Sequence, residues 1–153
     1  MDYGLPEDVP SYADPEPAPS QFFKRYDLAA LARTGVPEPQ FLCEGLLYTG
    51  GLHSVAGPPD CGKSTLMCWA AMEVLASGGE FVLMDEESGP AQYTEKLLAL
   101  GARADQLERL HYFPFPGVNW STLEVAAFIR MVTLINPRVI AWDSSAAFMA
   151  RAG

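Results

Sequence analysis

Beyond residue 50 the chain alternates between short apolar runs and longer stretches with helical periodicity. Leu52–Ala56 is a short apolar run that leads into a glycine-rich segment, and it predicts a strand. A helix is expected from Lys63 to about Ser77, after which "GGE" turns the chain into Phe81–Met84, a short buried strand. Pro90 lies near the start of a helix running to about Leu100, which Gly101 ends. "RLHYFPF" reads as a third strand ending at Pro114. "STLEVAAFIRMVTLI" opens with an N-cap at Ser121 or Thr122 and continues as an amphipathic helix to Asn136-Pro137. "RVIAWD" closes the series as an apolar run that ends on an acid. Strands that alternate with helices predict parallel βαβ units with right-handed crossovers, so the fold class is α/β: a parallel sheet flanked by helices.

The first forty residues follow other rules. Residues 1–20 hold five prolines and five acidic residues with no basic residue to offset them, which predicts a disordered, solvated tail. Residues 21–40 form a lead-in: Phe22, Phe23, Tyr26, Leu28 and Leu31 keep a helical spacing to about Ala32, and "RTGVPEPQ" then breaks it. The folded core is expected from about Phe41 onward, as one domain over 41–153.

Charge and composition exclude several classes of function. With 19 acidic against 10 basic residues the net charge is −9, and the basic residues are scattered, so the chain alone lacks the cationic face with which proteins grip nucleic acid. No apolar run approaches the roughly 18 residues needed to span a bilayer. The acidic N-terminus has no basic n-region or apolar h-region, so it is no secretory signal. Cys43, Cys61 and Cys68 are an odd number without metal-ligand spacing, which reads as reduced thiols in a cytoplasmic protein.

The chemistry concentrates in 57-GPPDCGKST-65, which fits G-x-x-x-x-G-K-[ST]. Gly57 and Gly62 allow a close approach and backbone angles that a Cβ would block. Pro58 and Pro59 stiffen the loop. The backbone from Pro59 to Thr65 then forms an anion nest at a helix N-terminus, with the N–H groups of Asp60, Cys61, Gly62 and Thr65 among its donors. Lys63 is expected on the β/γ-phosphates of a nucleotide and the Ser64 hydroxyl on Mg²⁺. Cys61 is either a small filler in this loop or a reactive thiol.

Two groups of acids stand at strand ends. Asp143 follows "VIAW" at the expected carboxyl edge of the sheet, where a carboxylate holds Mg²⁺ through water. Asp85, Glu86 and Glu87 lie just beyond the second predicted strand, and one of them is placed to orient the water that attacks a γ-phosphate.

"AGPPDCGKST", "FVLMDEESGPAQYTEKLLALG" and "VIAWDSSAAF" together resemble the RecA-like P-loop ATPases. The resemblance is nearest to the AAA-type ATPases of bacterial and phage replication modules, similar to RepA- and DnaB-type hexameric helicases. It covers roughly Asp27 to Gly153. Aligning "LLALG" (Leu97–Gly101) with the family's helix ending puts Glu87 on its catalytic glutamate, with Glu86 one residue early. Asp143 then matches the Walker B aspartate. The resemblance implies ATP and Mg²⁺ as ligands, with Lys63 and Glu87 as catalytic groups. It also implies assembly into a ring or filament, with single-stranded DNA engaged only through that assembly. The family pattern continues into further strands that carry a γ-phosphate sensor and an arginine or lysine finger, a role Arg151 does not fit. A sheet incomplete at its C-terminal side is therefore expected, with turnover by this chain in question.

Two other readings are carried beside this one: a nucleotide-gated binding module that does not hydrolyse, and a P-loop small-molecule kinase, which would need a basic lid after the third helix. Elsewhere the plainer assignments hold. His53 and His111 are packing or edge residues, and Trp69, Trp120 and Trp142 build core. Tyr93 and Lys96 are expected on a solvated helix face.

Overall fold

The computed structural model describes residues 27–43 and 45–144, and the chain divides into two units, 1–38 and 39–153. The acidic tail over 1–20 lies outside the described residues. In the first unit, α1 (Leu28–Thr34) starts at Asp27, whose carboxylate accepts a hydrogen bond from the Ala30 N–H at 3.0 Å. The expected lead-in helix over 21–32 is described only from this point, and it continues two residues beyond Ala32.

The second unit begins with an antiparallel pair, β1 (Phe41–Cys43) and β2 (Leu47–Tyr48). Then follow α2 (Lys63–Ala76), β3 (Phe81–Asp85), α3 (Pro90–Ala99), α4 (Ala104–Leu107), β4 (Leu110–Pro114), α5 (Thr122–Ile135) and β5 (Val139–Asp143). Strands β4, β3 and β5 form a parallel sheet in that order. The central strand β3 is buried along its whole length, which explains why its sequence runs apolar without alternation up to Asp85.

The predicted strand at Leu52–Ala56 is not formed. These residues run as irregular chain, with Leu52 99% and Val55 53% exposed. A strand needs a hydrogen-bonding neighbour, and His53 is drawn elsewhere: its Nε2 lies 3.2 Å from the Tyr48 carbonyl oxygen, and its ring meets Tyr48 edge-on at 4.5 Å. The run therefore folds back on the β1–β2 hairpin, whose own strands are too short to give a sequence signal.

The core lies between α2, α3 and the sheet. Cys68, Ala71, Val74 and Leu75 of α2 pack with Phe81 and Leu83 of β3 and with Tyr93 and Leu97 of α3. Burying a side chain such as Leu75, fully inaccessible here, contributes about 1.5–3 kcal/mol. The Arg109 guanidinium donates to the Leu75 carbonyl at 2.8 Å, placing a cation at the carbonyl end of α2.

Helix α5 opens with Ser121 as N-cap. The Ser121 hydroxyl accepts from the Glu124 N–H at 3.4 Å while the Glu124 carboxylate accepts from the Ser121 N–H at 2.9 Å, a reciprocal capping box. The hydroxyl partner holds the exposed Glu124 carboxyl below its usual range. Trp120, Phe128 and Trp142 stack beside this helix with ring centroids 5.4–5.8 Å apart, a packing role for two of the tryptophans. His111 pairs its Nε2 with Glu80 at 2.8 Å. Among the described residues no helix is long and apolar enough to cross a membrane.

Candidate functional site

The segment 57–62 closes on itself and delivers the chain into α2. A Cβ on Gly57 would stand 2.7 Å from Cys61 Sγ, so the Cys61 side chain occupies the space a larger residue would need. Gly62 caps α2 with φ 91°, in the left-handed region that glycine enters without strain, and Asp60 also has positive φ, 59°. Backbone turned in this way directs successive N–H groups toward one side, and the fourteen-residue α2 adds the positive end of its dipole there.

The Lys63 ammonium folds over this loop. It donates to the Gly57 carbonyl at 3.0 Å and the Pro58 carbonyl at 2.8 Å. Pro58, Pro59, Asp60, Cys61 and Thr65 are exposed around it. Cys43 and Cys68 are buried and Cys61 is exposed, all three as free thiols. Burial pushes the Cys68 thiol up to about 11, with Asp143 adding to it against the pull of Lys96.

From the second residue of α2, the Ser64 hydroxyl donates to Asp143 Oδ2 at 2.8 Å. This bond joins residues 79 positions apart in sequence and brings the glycine loop to the carboxyl end of β5. The same oxygen accepts a short hydrogen bond from the Tyr93 hydroxyl on α3. Burial first, and then the Asp143 carboxylate, pushes the Tyr93 phenol far above its ordinary range.

The three acids after β3 have separate fates. Asp85 is fully buried and its carboxylate accepts the N–H groups of Glu87 at 2.9 Å, Ser88 at 2.9 Å and Gly89 at 2.5 Å, as well as the Tyr112 hydroxyl. Burial alone would raise its pKa, but these donors outweigh it and hold the carboxyl below the usual range. Glu86 accepts from the Gly117 N–H at 3.1 Å, and its own N–H donates to the Asp143 carbonyl at 2.5 Å. Glu87 is exposed, two residues beyond the Asp85–Asp143 register pair.

Ser64 and Asp143 are thus brought into contact, with Lys63 at the first position of α2 and Glu87 on the turn after β3. Sequence reasoning misplaced Tyr93. It is 1% exposed rather than solvated, and Lys96 is half-buried with its ammonium 5.4 Å from the Tyr93 ring centre. A signal for this existed: Tyr93, Leu97 and Leu100 are spaced as one helix face. Tyr112, on β4, also escaped notice, because its partner Asp85 lies on a different strand.

The donor set suits a hard cation. One hydroxyl and one carboxylate meet at 2.8 Å, and among the described residues no three His, Cys, Asp or Glu side chains form a metal-holding group. Mg²⁺ fits such a sparse oxygen pair because it keeps several waters and takes further oxygens from phosphates.

No curated protein and no solved structure matches the chain. The family model for the AAA domain matches residues 16–151, which is most of the chain. With a parallel α/β sheet compatible with the P-loop NTPase fold and the glycine loop joined to a strand-end carboxylate, the chain belongs to the AAA-domain family of P-loop ATPases.

Proposed function

We propose that this chain is an ATP-binding and ATP-hydrolysing module of RecA-like type, serving a helicase-like ATPase of DNA replication or recombination. The observation that supports it most is the Ser64–Asp143 hydrogen bond, which links the glycine loop to the acid at the end of β5. The loop Gly57–Thr65 receives the phosphates through its backbone donors. Lys63 exchanges its two carbonyl partners for the β/γ-phosphate oxygens, an exchange of neutral acceptors for charged ones.

Ser64 and Asp143 hold Mg²⁺, which when bound neutralises charge on the phosphates. The Ser64 hydroxyl donates to Asp143 Oδ2, and its oxygen would serve the cation as a ligand. Glu87 is the exposed carboxylate that accepts a proton from, and orients, the attacking water. Copies of the chain assemble as a ring or filament, and single-stranded DNA is engaged by that assembly, since the net charge of −9 gives one copy little attraction for phosphate backbones.

A melting experiment tests the binding step. Mg·ATP should stabilise the wild type by about 2.7 kcal/mol at a hundredfold excess over Kd. Lys63→Ala should lose that shift, and Glu87→Gln should keep it while losing turnover. A shift that survives in Lys63→Ala sinks the reading of the loop.

A second reading, a nucleotide-gated module that binds without hydrolysing, draws support from the apolar side chains exposed on α5, Leu123, Ile129 and Leu134, which suit a partner surface. Tight Mg·ATP binding with no detectable phosphate release would favour it.

A further inference from the structure

Asp143 Oδ2 accepts two hydroxyl donors of different character. Ser64 lies on the loop side and is half-buried. Tyr93 reaches the same oxygen from α3, out of the core, and its ring is fixed there: it is 1% exposed and tilts against Tyr112 at 5.7 Å between centroids. A carboxylate turns readily about its last side-chain bond, whose energy wells are broad. A single donor from a residue that also serves the ligand leaves that rotation weakly set. A second donor from a locked aromatic ring fixes it before any ligand arrives.

We propose that Tyr93 is a positioning residue for the cation half of the site: its hydroxyl pins Asp143 in the orientation that receives Mg²⁺. This rests on the nucleotide-binding reading above and assigns a role to a residue that touches neither nucleotide nor metal. Groups that orient a metal's carboxylate from behind typically govern metal affinity by 10–100-fold. The opposing possibility is that the phenol only needs a partner because it is buried, and Asp143 is the nearest acceptor. The two differ in what Mg²⁺ does, not in what stability does.

The test compares wild type, Tyr93→Phe and Tyr112→Phe by titrating a fluorescent ATP analogue, first in a chelator and then against rising Mg²⁺. Tyr93→Phe keeps the ring and its packing. It should bind the Mg²⁺-free analogue as wild type does, and its Mg²⁺ midpoint should rise by about tenfold. Tyr112→Phe loses a phenol bonded to Asp85 instead and should leave the midpoint where it was. An unchanged midpoint in folded Tyr93→Phe overturns the proposal while leaving the nucleotide-binding reading intact. Failure of the wild type to bind the analogue under either condition overturns that reading, and this inference with it.

A second measurement needs no variant. In wild type with isotope-labelled tyrosine, Mg²⁺ added to the ADP-bound chain should shift the phenol-carbon resonance of Tyr93, identified by its contact with Tyr112. A resonance that stays in place overturns the proposal.

Discussion

Asp85 and Asp143 are register partners at the carboxyl ends of β3 and β5, yet their carboxylates are held by different kinds of donor. Asp85 receives three backbone N–H groups and one phenol. Asp143 receives two hydroxyls, from Ser64 and Tyr93. A carboxylate ringed by main-chain donors is part of the fold and cannot be released without opening the turn it closes. One held by hydroxyls can share them with water or a cation and leave the backbone undisturbed. The pair thus divides the work, with Asp85 shaping the turn that carries Glu86 and Glu87 and Asp143 facing the loop.

Asp85→Asn should destabilise the chain even though the substitution is nearly isosteric. It removes one acceptor oxygen and turns an amide N–H₂ toward groups that are themselves donors. Loss of charge-assisted bonds at a buried site should reduce stability by about 2–3 kcal/mol, read from the urea midpoint at unchanged slope. A variant within about 0.5 kcal/mol of wild type, the scatter of ordinary surface changes, would mean that the turn is held by something else.

The same carboxylate sets an acid limit. Its folded pKa lies below the ordinary value of about 3.9, so its contribution is fully present above that pH and is lost as pH falls through the folded value. Below about pH 4 wild type should therefore lose stability more steeply than Asp85→Asn. Parallel curves for the two proteins over this range would contradict the donor arrangement.

Most of the sheet was legible in the sequence because glycine and proline punctuate it. Pro90 opens α3, and the strands β3, β4 and β5 appear within a residue or two of their predicted places. Ser121 caps α5 as one of the two expected candidates. What was not legible depends on partners distant in sequence. Leu52–Ala56 has the composition of a strand, but His53 is claimed by Tyr48. β1 and β2, at three and two residues, are too short for any period to show. Tyr93 carries a polar atom, which suggested solvent, and only the fold places a buried carboxylate within its reach. Within the candidate site, the loop was visible as a motif, whereas the bond from Ser64 to Asp143 spans 79 residues and has no local signature.

Gly57 and Cys61 should behave as a coupled pair. A Cβ at Gly57 would meet Cys61 Sγ at 2.7 Å but Cys61 Cβ only at 4.0 Å, so the sulfur is the obstacle. Gly57→Ala should weaken Mg·ATP binding by about tenfold, or 1.4 kcal/mol. Cys61→Ala should be near neutral alone and should restore most of the affinity in the double variant. A coupling energy of about 1 kcal/mol is expected for side chains in direct contact, and strictly additive effects would show that the loop yields elsewhere.

The buried Tyr93 phenol and the half-buried Tyr112 phenol set an alkaline limit as Asp85 sets the acid one. Burial first, and the neighbouring carboxylates next, push Tyr93 and Tyr112 upward from the ordinary value of about 10. For a group that is neutral when protonated, a raised folded pKa means that its contribution is fully present below about pH 10 and is lost as pH rises above it. Tyrosinate absorbance in the folded chain should therefore show a late phase that appears only as the protein unfolds. Tyr93→Phe and Tyr112→Phe should each reduce that phase and flatten the loss of stability above about pH 10. If both phenols instead ionise at the ordinary tyrosine value of about 10 while the chain stays folded, neither is held against a carboxylate, and the hydroxyl pair on Asp143 does not exist.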